Sequence, residues 1–282
     1  MRAVEPMEIG LVFWAEQDAG TTLEQLRTLE IRCGQLGVPP QLDCNVAVKE
    51  WADTLNESDV SVTSAVCAYA GEDYSSLETV HETVGFTTQR FRAERIARTN
   101  QVSNFAAALG LPALSCHIGF IPNDQKELLH KDLCELTRSL CDSCGSHGQT
   151  FVLETGQESA EVLLSFIHAV DRPNLKVNFD PANMIMYGSG DPVAALKLLS
   201  EHVLSVHCKD AHSPLPGSGT LGSECVLGDG EVDFPAFLQQ LKEMRYQGPL
   251  SIEREEPKPE TRLADILTGV SRLREWKSRL GL

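Results

Sequence analysis

Four side chains with metal-binding or acid/base chemistry stand at the ends of apolar runs in the second half of the chain. Glu154 closes TFVLE, Asp180 follows LKVNF, His207 lies in HVLSVHC, and Glu253 follows GPLSI. Glu154, Asp180 and His207 are 26 and 27 residues apart, and Glu253 follows His207 by 46. Burying one lone carboxylate is costly, whereas several around a divalent cation are compensated by the ion's charge. Three carboxylates and one imidazole form a hard-to-borderline donor set. It suits one Mn2+, Mg2+ or Co2+ ion and leaves positions open for substrate oxygens. Zn2+ is compatible, although it favours a set richer in histidine. A strand-end Asp or Glu can also be simply the N-cap of the next helix; four coincident strand ends argue against capping alone.

The elements that must present these groups follow a rhythm of short apolar strand, then amphipathic helix. MEIGLVFW precedes a helix expected from about Thr22 to Cys33, and PPQLDC reads as the strand before VKEWADTL. DVSVTSAVCAY leads through a long loop to QRFRAERIARTNQVSNFAAALG, and PALSCHIG leads to DQKELLHKDLCELTRSLCDSCGSHG. TFVLET, LKVNFD, HVLSVHC and PLSIER complete the series. Strands alternating with helices pair in parallel, and uniformly apolar strands are buried on both faces. Eight such units in 282 residues point to a (β/α)8 TIM barrel, a single domain over residues 1–282. An open doubly wound sheet is the runner-up, but no G-x-G-x-x-G opens a helix.

In a barrel the C-terminal strand ends meet at one mouth, where active sites are built. Charges at those ends then face a pocket, which accounts for their placement. Further candidates for substrate contact are His117 after the fourth strand, Lys209 on the same face as His207, and Glu158 one helical turn past Glu154. Trp14 at the end of the first strand offers an apolar wall for a bound substrate, or is equally a core or rim aromatic. His168 and His202 read as structural. The Gly/Pro/Ser-rich stretch 211–230 is too long for a plain connector and reads as a lid.

Composition narrows the partners. The net charge is −16, from 40 acidic and 24 basic residues, a surface that repels nucleic-acid phosphates and anionic lipid. The first residues lack a signal-peptide pattern and no run could span a bilayer, so a cytoplasmic location is expected. Nine cysteines show no disulfide framework, and the C-x-x-C at Cys141 to Cys144 reads as a helix-borne thiol pair.

The segments LETGQE, VNFDPANM, VHCKD, LGDGEVDFPAFL and GPLSIERE, in this order, resemble the sugar phosphate isomerase/epimerase family, the xylose isomerase-like TIM barrels. The resemblance runs from about Leu114 to the C-terminus; earlier residues share only the strand–helix rhythm. It implies one divalent metal held by Glu154, Asp180, His207 and Glu253, with Glu154 and Glu253 acting also as an acid/base pair. The expected substrate is a small-molecule sugar, keto-sugar or related polyol, deprotonated next to a carbonyl through a metal-stabilised enediolate. Two bases on opposite faces give epimerisation, and one shuttling base gives aldose–ketose isomerisation. A dehydratase of the inosose or dehydroshikimate kind would use the same four ligands. Ketose 3-epimerases of this kind carry His where Asn183 stands, and an Arg soon after the metal-binding His; no Arg lies between His207 and Arg245. Asn183 is then a hydrogen-bonding substrate contact. Family members often associate, so a homo-oligomer is open. A non-catalytic sugar-binding barrel is the alternative of another class, to which two intact glutamate bases would be superfluous.

Overall fold

The computed structural model describes residues 3–215 and 217–282. Its strands are β1 (Ile9–Trp14), β2 (Cys33–Val38), β3 (Ser61–Cys67), β4 (Ala113–Cys116), β5 (Thr150–Glu154), β6 (Leu175–Phe179), β7 (Val203–Cys208), the short β8 (Asp210–His212) and β9 (Ser223–Cys225), and β10 (Leu250–Ile252). All but β8 and β9 pair in parallel and close a barrel in the order β1-β10-β7-β6-β5-β4-β3-β2; β8 and β9 form a separate antiparallel pair. The chain is thus a (β/α)8 barrel. Its helices are α1 (Ala19–Thr28), α2 (Cys44–Glu57), α3 (Leu77–Thr83), α4 (Gln89–Ala108), α5 (Leu128–Ser146), α6 (Ala160–Val170), α7 (Pro181–Tyr187), α8 (Pro192–Leu198), α9 (Phe234–Glu243) and α10 (Pro259–Leu280). None of the described helices is long and apolar enough to cross a membrane.

Helix α9 shows why the outer ring forms. Asp233 caps it by accepting from the Ala236 amide at 3.0 Å, Pro sits in its first turn, and Phe234, Phe237, Leu238 and Leu241 make one buried stripe. Each of these large side chains contributes roughly 1.5–3 kcal/mol by leaving water. The Gly/Pro/Ser-rich excursion is pinned at its ends. Its start lies in β8 and its later part in β9, and the Gly222 amide donates to the Met186 carbonyl at 2.9 Å. Pro216, in the tip of the expected lid, lies outside the described residues.

Two expectations about the first third of the chain are corrected. Helix α1 stops at Thr28, and Cys33 opens the second strand, which is CGQLGV rather than PPQLDC. Pro39 and Pro40 have no N–H to give a ladder, and Asp43 is spent capping α2 through the Asn45 and Val46 amides. The glycines that disguise β2 have a packing reason. A Cβ on Gly34 would stand 1.9 Å from the Leu11 carbonyl oxygen, so only glycine lets β1 and β2 approach this closely.

Candidate metal centre and active site

The barrel brings Glu154, Asp180, His207 and Glu253 together at its mouth. One oxygen or ring nitrogen from each lies within 4.8 Å of the others. His207 Nδ1 is 3.4 Å from Glu154 Oε1, 3.5 Å from Asp180 Oδ2 and 3.2 Å from Glu253 Oε2. Glu154, Asp180 and His207 are buried, and Glu253 is largely so.

Asp180 caps a helix with one oxygen and leaves the other available to a ligand. Its Oδ1 accepts from the Ala182 and Asn183 amides at 2.8 and 3.0 Å, starting α7, while its Oδ2 has no hydrogen-bond partner. His207 Nδ1 is likewise without one. Two unpartnered buried polar atoms facing one point, among three carboxylates, fit a divalent cation; a buried polar group ordinarily finds a partner. The electrostatics agree. Burial alone would lower the His207 pKa, but the Glu253 and Glu154 charges raise it well above the ordinary imidazole value. Burial opposes the charge on Glu253, yet His207 and Lys209 hold its carboxyl well below the usual range. Glu154 is also held low: burial raises it, and His117 and then His207 more than offset that.

The other expected residues divide. His117 follows β4, with Nε2 3.6 Å from Glu154 Oε1, and its ring lies near Tyr74. Lys209 is buried and places Nζ 3.0 Å from both Glu253 Oε2 and Glu255 Oε1; burial lowers its pKa, and the glutamate charges raise it well above normal. Asn183 spends its amide on Glu154 Oε1 at 3.1 Å, so it holds a carboxylate of the site. Glu158 is buried with neither carboxylate oxygen hydrogen-bonded, and burial pushes its carboxyl up to about 8. No described hydrogen bond or ion pair joins it to the four. Trp14 is 44% exposed at the rim, where Gly37 leaves room for its indole. His168 and His202 pack against each other on the outside, and Cys141 and Cys144 are buried in α5 with thiols raised by burial to about 12 and about 11.

Three positioning groups had no sequence signal. The Thr155 hydroxyl donates to the Asp180 carbonyl at 3.0 Å and accepts the Asp180 amide at 2.8 Å, locking the ends of β5 and β6 in register. Gln35 from β2 and Asn178 from β6 both reach His207 Nε2, at 3.0 and 2.9 Å. An inward-facing Gln and Asn inside apolar strands is the only mark they leave.

A profile of the xylose isomerase-like TIM barrel family matches residues 17–276. A solved structure described as a xylose isomerase domain protein from Planctomyces limnophilus is 35% identical, covers 98% of this chain and 99% of its own, and superposes with a TM-score of 0.90. The uncharacterized protein YihM of Escherichia coli is 28% identical over 143 residues, 48% of this chain and 42% of its own length. An L-ribulose 3-epimerase of a Methylomonas strain is 29% identical over 105 residues, 37% of this chain and 31% of its own. The chain thus spans less than half the length of the curated relatives it matches.

Proposed function

Because the chain belongs to the xylose isomerase-like TIM barrel family, we propose that it is a divalent-metal-dependent isomerase or epimerase of a sugar, keto-sugar or related polyol. Glu154, Asp180, His207 and Glu253 hold the ion, with Mn2+, Mg2+ or Co2+ the best match to the donors. The observation that carries this reading is the convergence of four donor atoms within 4.8 Å, two of them buried and otherwise unpartnered. The name of the Methylomonas relative, an epimerase of a ketose, supports the reaction class.

When bound, such a cation polarises a substrate carbonyl and offsets the negative charge left after proton removal. The protein's own groups then handle the protons. Glu154 and Glu253 come from separate strand ends, and both are held as carboxylates, the form that accepts a proton. Lys209, 3.0 Å from Glu253 Oε2, keeps its own proton and stabilises Glu253 as the base. Glu154 has a different neighbour in His117, an imidazole 3.6 Å away that can pass it a proton. Removal of the carbon-bound proton by Glu253, and return to the opposite face of a proton that Glu154 has received by way of His117, inverts one carbon and leaves the composition unchanged. Asn183 and Asn178 hold the Glu154 oxygens in place through amide donors at 3.1 and 3.4 Å.

The test is deuterium wash-in. The Mn2+-loaded protein is incubated in D2O with a panel of ketoses, keto-inositols and keto-glycosides, and exchange is expected at one carbon next to the carbonyl. Glu154→Gln and Glu253→Gln are each expected to stop net conversion with the fold intact. Unchanged conversion by Glu253→Gln would remove the two-carboxylate assignment. Loss of water with a new enone absorbance would reassign the protein as a dehydratase.

A further inference from the structure

The side chains behind His207 are used neither for ion binding nor for proton transfer in the reading above. Gln35 reaches His207 across the barrel, since β1 and β10 stand between β2 and β7 in the closed order. Its amide nitrogen donates to Asn178 Oδ1 at 3.1 Å, and the Ser205 hydroxyl donates to the same oxygen at 2.6 Å. Two donors on Asn178 Oδ1 leave its NH2 turned toward His207 Nε2 and Glu154 Oε2, at 2.9 and 3.4 Å. Gln35 Oε1, an acceptor, lies 3.0 Å from that same ring nitrogen. His207 Nε2 therefore stands between an acceptor and a donor, and the partner it takes decides where the ring's lone pair points. Gln35, Asn178 and His207 are all fully buried, so solvent does not compete.

We propose, resting on the cation reading of the four-residue site, that Gln35 is a positioning residue that sets the tautomer of His207. By accepting the Nε2 proton it leaves the Nδ1 lone pair facing the carboxylate oxygens at 3.2–3.5 Å, where an ion is held. A neutral imidazole carries one ring proton, and a partner that takes it at one nitrogen frees the other as a ligand. Asn178 then donates to Glu154 Oε2, so one network orients two of the four donors.

Calorimetric Mn2+ titration of the metal-free proteins tests this without any activity assay. Gln35→Met keeps the length and removes the acceptor; Gln35→Glu restores an acceptor in the same place. Gln35→Met is expected to weaken Mn2+ binding by about 10–100-fold, and Gln35→Glu to recover most of it. Wild-type affinity in Gln35→Met, or no recovery in Gln35→Glu, would overturn the proposal alone. Should Gln35→Met fail to fold, a long-range 1H–15N spectrum of the histidine-labelled, Mg2+-loaded wild-type protein decides. A proton on Nε2 of His207 supports the assignment, and a proton on Nδ1 overturns it. Failure of the wild-type protein to bind either ion would overturn the cation reading itself, a result distinct from both.

Discussion

Asp180 offers the sharpest perturbation because its two oxygens do separable work. Asp180→Asn keeps an oxygen for the Ala182 and Asn183 amides but puts an NH2 where the unpartnered Oδ2 now faces His207. Asp180→Ala removes both. The two variants delete the same negative charge, so their difference in the metal-free state reports the helix cap, worth about 1 kcal/mol. In a chain of this size that is about 2 °C in Tm, with Asp180→Ala the lower. The ligand oxygen is read by adding Mn2+. At a free concentration of about 100 times its Kd, the wild-type protein gains about 2.7 kcal/mol, or about 5 °C. A variant binding about 100-fold more weakly gains only about 0.4 kcal/mol at that concentration, about 1 °C. Losing a ligand oxygen should cost at least as much as losing an outer partner, for which about 10–100-fold is typical. Scanning calorimetry of the three proteins with and without Mn2+ is sufficient. A full Mn2+ shift in Asp180→Asn would refute the ligand assignment, and metal-free Asp180→Asn melting with Asp180→Ala would refute the division of labour.

Two other outcomes follow from buried positions outside the four-residue cluster. Glu158, raised by burial to about 8 in the fold, is more easily ionised in the unfolded chain. Its contribution to stability is therefore complete below the unfolded carboxyl value of about 4.3 and is lost as pH rises through about 8, up to about 5 kcal/mol in total. Glu158→Gln should flatten the decline in Tm between those limits, and parallel pH profiles for the two proteins would sink the argument. Gly34→Ala drives a methyl to 1.9 Å from the Leu11 carbonyl oxygen and should cost about 3 kcal/mol or more by denaturant unfolding; a midpoint near wild type would contradict the close β1–β2 contact.

The four candidate donors were legible because charge at the end of an apolar strand is locally conspicuous, and because the first three are spaced by one strand–helix unit and the last by one unit plus the long insertion. The second strand was not. CGQLGV has two glycines and one glutamine in six residues, which propensity reads as turn, whereas the strand exists because those glycines admit β1 closely. With the strand misplaced, Gln35 had no face and no depth, so its approach to His207 from the far side of the barrel was invisible. Asn183 shows a second limit. Its place after Asp180 was plain, but whether its amide turns to a substrate or to Glu154 depends on distances between separate strands, which local pattern does not contain.

Asp210, three residues after His207, receives the Gly228, Gly230 and Val232 amides on its carboxylate at 2.8–3.1 Å. The excursion between them is thus tied back to its own start, like a handle fastened at its base, with the Gly222 amide a further tie to the Met186 carbonyl of α7. Among the described residues, no hydrogen bond or ion pair joins residues 213–221 to the four candidate ligands, so changes of length and composition there are expected to leave the cradle of those side chains in place. A variant with residues 213–221 replaced by a short Gly-Ser link should bind Mn2+ as the parent does, while its preference among substrates changes. Altered Mn2+ affinity would show that the handle bears on the cradle after all.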